Sequence, residues 1–538
     1  MPEAPTTPRP ADARTVWTRC AVPPLSLETP LAWQPNLANW TERSAHLRWE
    51  TLTGTPLELN WMWLPSDANE SPASVEKRLA SAWKRERTAA EKQAKQTGVT
   101  IEWKGEPRTL DDYLGTKADG TACEYLWNGQ RGCMAVLSVA AEGRRAYVAA
   151  ALCPTGDDDP IRTAKRVLRS FKLYSAKDSV RFALAGLQVD LPAGYDLLGL
   201  RLGEAQVHAE FASPACKVTL ARLGMAEQHR AQIDETELQT RLMKVLFDRG
   251  EVTDPVSREM TGPPRIFGPG IEKAAGKHGR TADDSVHSHK AGLYLERRRA
   301  HIRGGDWILR KLGRRWSGGA AGLAWTCADA RALFALCVRK GDADAEAELR
   351  ALTERMSCHA LPDQHPVDWR PFVYAEAGLK SDDDAQGEPI PAKKEKLSAV
   401  DLRRKQLRFR VRTRDEVRFE PSLKDETASL VYPVQGGSGM FVTLLRGGRP
   451  AEVFHRRLAL DPIGRKVWEK LAHGPTVAQV LAELCAELGV HPVVMFTKLL
   501  LYLKMLGERH LVETATPEAA DGGSEQAETA ASTQKESA

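Results

Sequence analysis

A chain of 538 residues is too long for one ordinary hydrophobic core, and its length predicts about two to four domains. Its 42% apolar and 27% charged content is that of a water-soluble chain, and no run approaches the roughly 20 apolar residues that cross a bilayer. A net charge of +5 over this length does not by itself imply a nucleic-acid partner.

None of the nine cysteines forms a Cys-x-x-Cys pair, and several sit inside apolar strand patterns. This usage predicts reduced, buried thiols in a cytoplasmic protein, with neither a disulfide framework nor a structural zinc site. Residues 1–18 are Pro-rich without an apolar stretch and read as a flexible leader rather than a secretory signal.

Two stretches that follow resemble each other. In GRRAYVAALCPTGDDDPIRTAKRVLRSFK and in DARALFALCVRKGDADAEAELRALTERM an apolar strand ends in Ala-Leu-Cys, at Cys153 and Cys337. A Gly/Asp turn and an amphipathic helix come next. The first helix has an N-cap at Asp159, Pro160 just inside it, and an apolar stripe of Ile161, Ala164, Val167, Leu168 and Phe171. The second has Leu349, Leu352 and Met356. Upstream, HLRWETLTGTPLELNWMWLP and LLGLRLGEAQVHAEFASPACKVTLARLG each read as a strand pair. A helix is predicted after each pair. One is introduced by Ser71-Pro72 and carries Val75, Leu79, Ala82 and Trp83. The other begins at Asp234 and Glu237 and carries Leu238, Leu242 and Leu246. The pattern predicts two similar α+β sandwich units, 19–180 and 181–375, whose element order faintly resembles PsbP-like or Mog1-like sandwiches. A Gly/Pro-rich insertion at 248–290 interrupts the second unit.

From 376 to 425 the chain reads as a linker and a basic segment. Between Lys393 and Arg418 eleven Lys or Arg stand against four acids, and the alternation from Gln406 to Arg412 predicts an edge strand with one basic face.

Residues 426–514 carry the clearest pattern. MFVTLLRGGRPAEVFHRRLAL reads as a hairpin around Gly447-Gly448, with Phe441, Thr443 and Leu445 on one face. Three helices are predicted next. Asp461-Pro462 caps the first, which packs Ile463, Val467, Trp468 and Leu471. Thr476 introduces the second, with Val477, Val480, Leu481 and Leu484. The third is HPVVMFTKLLLYLKMLGERH, before a short strand at Leu511-Val512. That third helix has two apolar stripes, Val493/Phe496/Leu500/Leu503 and Met495/Leu499/Tyr502/Leu506. Two neighbouring stripes mean either unusual burial within this protein or a partner in a groove; in the second case the first stripe faces the core, against Val467, Trp468 and Val480, and the second is the groove. Residues 515–538 read as a disordered tail.

The string Ala459-Leu460-Asp461, Ile463-Gly464, Val467-Trp468, His473-Gly474, Thr476-Val477, and Leu506 through Val512 resembles the PqqD family, also known as the RiPP recognition element. Members are small chaperones that present a precursor peptide to a modifying enzyme in pyrroloquinoline quinone biosynthesis. The resemblance covers about 75 residues. It implies a winged-helix domain that takes a leader peptide as an added strand and holds it against its third helix. On this chain it implies a sheet edge within Glu452–Leu460 and a groove helix within Val493–Leu506. The peptide-binding residues expected are Val453, His455, Arg457, Met495, Leu499, Tyr502 and Leu506. The expected partner is a peptide or protein client, with a modifying enzyme beside it. The alternatives are a scaffold in which this domain docks internally, or a nucleic-acid regulator. The second is disfavoured because six basic residues balance six acids between 461 and 513.

No catalytic constellation emerges, and the expectation is a non-enzymatic protein without cofactor or metal. His278, His287 and His289 lie in the insertion, with no acid or cysteine at ligand spacing. Gln435–Gly439 lacks the lysine of a phosphate loop and reads as a turn between strands. The adjacent Cys358 and His359 show no partner in sequence.

Overall fold

The computed structural model describes residues 11–12, 16–41, 44–65, 71–116, 118–141, 144–153, 159–174, 177–203, 206–224, 258–259, 290–297, 320–327, 332–340, 345–353, 355–357, 367–379, 399–422, 427–435 and 453–515. It is a mixed α/β chain with several sheets, divided into two compact units, Met1–Val367 and Asp368–Ala538.

In the first unit, β1 (Ala11–Asp12) precedes a series of elements that occurs twice. The first series is β2 (Trp17–Val22), β3 (Leu25–Pro30), β4 (Gln34–Trp40), β5 (Ser44–Glu50), β6 (Leu57–Pro65), α1 (Pro72–Thr97), β7 (Ile101–Trp103), β8 (Arg108–Thr109), α2 (Leu110–Leu114), β9 (Asp119–Trp127), β10 (Gln130–Ala141), β11 (Arg144–Leu152), α3 (Pro160–Arg169) and β12 (Lys172–Leu173). The second is β13 (Val180–Leu184), β14 (Leu187–Leu191), β15 (Asp196–Gly203), β16 (Gln206–Ala212), β17 (Cys216–Gly224), β18 (Arg258–Glu259), β19 (Lys290–Arg297), β20 (Ala320–Cys327), β21 (Ala332–Lys340), α4 (Ala345–Thr353) and β22 (Met356–Ser357), with β23 (Val367–Asp368) beyond it.

The large sheets have the same strand order, β4-β5-β6-β11-β10-β9-β7 and β15-β16-β17-β21-β20-β19-β18. The two Ala-Leu-Cys strands, β11 and β21, hold the same fourth place in each. A six-stranded sheet, β12-β3-β2-β13-β14-β22, takes three strands from each series and joins them at β2 and β13, where Ala21 pairs with Ala183. The large sheets also approach each other through β4 and β15, where Trp40 Nε1 donates to the Leu197 carbonyl at 3.0 Å. Cutting the chain near 180 would expose β2 and β13 as apolar open edges, which accounts for one compact unit where the sequence suggests two.

Local chemistry explains the helices. Ser71 caps α1, with Pro72 inside the start and Gly98 in the left-handed conformation at its end. Asp159 caps α3, whose Ile161, Ala164, Val167 and Leu168 are buried between β10 and β3. The equivalent helix α4 packs on β20, β21 and β14 and buries Leu349 and Leu352. Phe182 of β13 meets Phe211 of β16 edge-on at 5.4 Å, tying the central sheet to a large one. One strand-pair expectation is corrected, because 196–224 forms three strands: the chain reverses a second time at Ser213, whose hydroxyl accepts from the Cys216 N–H. The predicted helix from Asp234, the insertion histidines and Cys358-His359 lie outside the described residues.

The second unit contains α5 (Arg370–Ala377), α6 (Ala399–Arg408), β24 (Arg410–Thr413), β25 (Arg418–Pro421), β26 (Ala428–Gln435), β27 (Val453–Leu460), α7 (Pro462–Leu471), α8 (Val477–Leu488), α9 (Pro492–Glu508) and β28 (Val512–Ala515). β25-β26-β27 form one antiparallel sheet, and β24 pairs with β28. Residues 399–408 are helical, where the alternation of Gln406–Arg412 suggests a strand; only 410–413 are extended. The reason is α5. Arg408 donates to the Ala377 carbonyl at 2.6 Å and the Gly378 carbonyl at 2.9 Å, and Arg404 to the Glu376 carbonyl at 3.4 Å. Two guanidinium groups one turn apart on α6 thus satisfy the orphan carbonyls at the end of α5, which a strand could not align. The basic segment therefore supplies two helix-capping side chains and, in β24 and β25, strands of the unit's sheets.

Candidate functional site

Strand β27 and the three helices after it are built by short-range rules. Cross-strand partners place Phe419, Leu430 and Leu458 in one row, and Ala428 opposite Leu460, with Leu430 and Leu460 buried. The chain then leaves the sheet through Asp461, whose carboxylate accepts from the Gly464 N–H at 2.6 Å and caps α7. Val467, Trp468 and Leu471 of α7 are buried. Thr476 and Gln479 form a reciprocal capping box on α8.

The Leu-Asp-x-x-Gly string has a structural reason here. Tyr502 of α9 donates its hydroxyl to the Gly464 carbonyl at 3.2 Å. A Cβ at Gly464 would lie 2.9 Å from both the Tyr502 hydroxyl and the Asp461 carboxylate, so only glycine admits this approach. Burial, and next the Asp461 charge, push the Tyr502 phenol well above its ordinary pKa and keep it a donor.

The two stripes of α9 are placed differently from expectation. Met495 and Leu499 are 2% exposed and Leu506 is fully buried, so they form the centre of the packed face, with Tyr502 half-buried through its bond to Gly464. Phe496 is also buried, whereas Val493, Leu500 and Leu503 are half-buried at the flanks. The groove assignment of Met495, Leu499 and Leu506 is thereby corrected: small-core packing takes both stripes, since α8 and β28 pack against α9 from within the unit. Leu501, about 200° around the helix from Leu499, is the exposed apolar residue of α9, at 62%.

The strand residues are placed otherwise. Among the described residues β26 is the only strand paired with β27, and no described strand pairs with its other side. His455 and Arg457 are exposed, and Arg457 pairs with Glu420 at 2.6 Å; Val453 is opposite Gln435 at the start of the strand. Sequence reasoning missed Phe454, 52% exposed, and the exposed Arg456 beside it. Phe454 shares a strand face with Leu458 and Leu460, and burial rises along that face only toward α7. The hairpin positions Phe441, Thr443 and Leu445 lie outside the described residues.

Among the described residues the site thus offers a strand side with no partner, a large aromatic at one end and three adjacent basic residues, His455, Arg456 and Arg457, the last of them paired with Glu420. Backbone groups on such an edge accept a further strand, and nearby cations favour acidic side chains on it. Elsewhere in the unit much of the basic charge is engaged: Arg412 with Asp415, Arg414 with Glu513, Lys466 with Glu487, and Lys470 with Glu483 and Glu487. Burial raises the Cys485 thiol far above its ordinary pKa, and in the first unit burial pushes the Cys133 thiol up to about 12, so neither is a thiolate at neutral pH. Among the described residues no three His, Cys, Asp or Glu are placed to hold a metal ion, and no helix is long and apolar enough to cross a membrane. The chain matches no family model, and no curated protein matches it.

Proposed function

We propose that the second unit follows the winged-helix plan of a RiPP recognition element and binds an extended peptide as an additional strand on the open side of β27. The observation that carries this reading is the eight-residue edge strand with nothing paired to its outer side among the described residues. β25, at the other edge, has only four residues and ends in Pro421, which has no N–H to offer a further strand. Backbone pairing supplies affinity, and the His455-Arg456-Arg457 run selects a client with acidic residues. Without a client the same charges guard the edge against pairing with other sheets. The protein acts as a non-catalytic carrier or presenter of that peptide.

The burial of Met495, Leu499 and Leu506 favours a second reading. No client is needed to explain the apolar excess of α9, as a scaffold role requires. The two are separated by selecting binders to the full chain from a random peptide library and testing them on Arg456→Pro and Arg457→Pro. Adjacent strand residues point their N–H groups to opposite sides, so one proline removes a ladder bond to β26 and the other blocks the open edge. Peptide binding predicts acidic binders lost in the folded edge-blocking variant. Scaffolding predicts no enriched binders, or binders indifferent to both prolines.

A further inference from the structure

The first unit contains a cleft unrelated to the β27 edge. Helix α1 lies across β9, β10 and β11, resting Val75 and Leu79 on Val136 and Tyr147, with Ala82 and Trp83 alongside. The sheet continues past the helix into β6, β5 and β4. Cross-strand register carries the same face outward: Val136 and Ala149 lead to Asn60, His46 and Asn39, and Tyr147 leads to Met62 and Ser44. Cross-strand partners share a face, so this surface is apolar beneath the helix and becomes polar where the helix no longer covers it. Met62, at its centre, is 40% exposed.

The other wall is a single stripe of α1. Arg78, Ser81, Ala82 and Arg85 line the cleft at spacings of three and four, which puts them on one side of the helix. The two arginines are seven residues apart, about 10 Å along the axis. The volume of this half-open cleft is about 420 Å³, within the roughly 300–1,000 Å³ usual for small-molecule sites. Among the described residues no carboxylate lines it. Among the described residues Glu58 lies 2.7 Å from His46 Nε2 and Glu86 3.0 Å from Arg85, and Arg78 too is engaged in the fold.

We propose that this cleft binds a small organic anion with an apolar body, its carboxylate or phosphate head toward Arg78 and Arg85 and its body over Met62 and Tyr147. The amides of Asn39 and Asn60 supply hydrogen bonds along the floor. A cationic wall facing a half-open apolar floor rewards both parts of such a molecule, and neither a bare ion nor a neutral apolar molecule uses both.

The full chain labelled with ¹³C-methyl methionine tests this, with the Met62 signal identified among ten methionines by Met62→Leu. Phenyl phosphate and benzoate are titrated beside inorganic phosphate and benzyl alcohol. Saturable Met62 shifts are expected from phenyl phosphate, benzoate or both, and the tighter of the two names the head group. Inorganic phosphate and benzyl alcohol should each bind at least about tenfold more weakly. In the Arg78→Gln/Arg85→Gln double variant, at two exposed positions, anion binding should fall by about tenfold or more. Its weak response to benzyl alcohol and its melting temperature should not change. The proposal is overturned if no probe gives a saturable Met62 shift, if phosphate alone binds as well as phenyl phosphate, or if the double variant binds like the parent.

Discussion

Leu499→Ala is expected to cost the second unit far more than Leu501→Ala, although the two residues are neighbours on an apolar helix. Leu499 is 2% exposed and Leu501 is 62% exposed. Truncating a fully packed leucine loses its transfer free energy and leaves a cavity, together about 2–5 kcal/mol. An exposed position away from caps and ion pairs changes stability by about 0.5 kcal/mol or less. For a unit spanning Asp368–Ala538, each kcal/mol lowers the melting temperature by about 2–4 °C. Thermal melts of the 368–538 segment should therefore fall by about 4–20 °C for Leu499→Ala, and by no more than about 2 °C for Leu501→Ala. A harmless Leu499→Ala beside a costly Leu501→Ala would mean that α9 presents its opposite side to the core, and the packing described above would be wrong.

Arg408→Ala should destabilise the second unit by about 1–2 kcal/mol in urea melts, because the Ala377 and Gly378 carbonyls lose a charged donor at a helix end; no change would show that water caps α5 as well. Gly464→Ala should be costly in the parent and distinctly cheaper in Tyr502→Phe, where the hydroxyl that crowds the new Cβ is gone; additive costs in a double-mutant cycle would refute the close approach. Glu487 has its pKa lowered, first by its hydrogen bond from Lys466 and further by Lys470, with burial opposing. Its contribution is therefore full above the ordinary value of 4.5 and disappears as pH falls through the lower folded value. Lys466→Met should flatten the loss of stability between pH 5 and pH 3, and an unchanged acid profile would remove that ion pair from the account.

Helices α1, α3, α7 and α8 were legible because their signals are local. Ser71, Asp159, Asp461 and Thr476 each sit one residue before a helix and cap it, as their side chains dictate. The internal repeat was legible through Ala-Leu-Cys and the helix stripes. The shared six-stranded sheet was not, because pairing of Ala21 with Ala183 is a long-range choice that no local pattern encodes. The basic run at 403–408 misled for a similar reason: alternation suggested a strand, but Arg404 and Arg408 had carbonyls of α5 to reach. On α9 both stripes were correctly read as apolar. That both are taken up by packing depends on what surrounds the helix: α8, β28 and the Gly464 carbonyl that Tyr502 reaches. The family resemblance pointed to a sheet edge within Glu452–Leu460, whereas the exposure of Phe454 and Arg456 depended on how far α7 covers the strand.

Strand addition at β27 is tested most directly by amide hydrogen exchange of the full chain, with and without an acidic peptide selected against it. The account predicts that bound peptide slows exchange at alternate amides of Val453–Leu460, those facing away from β26, while the ladder amides between them, already bonded, change little. Protection confined to other strands or helices, with the β27 amides unaltered at saturation, would contradict it.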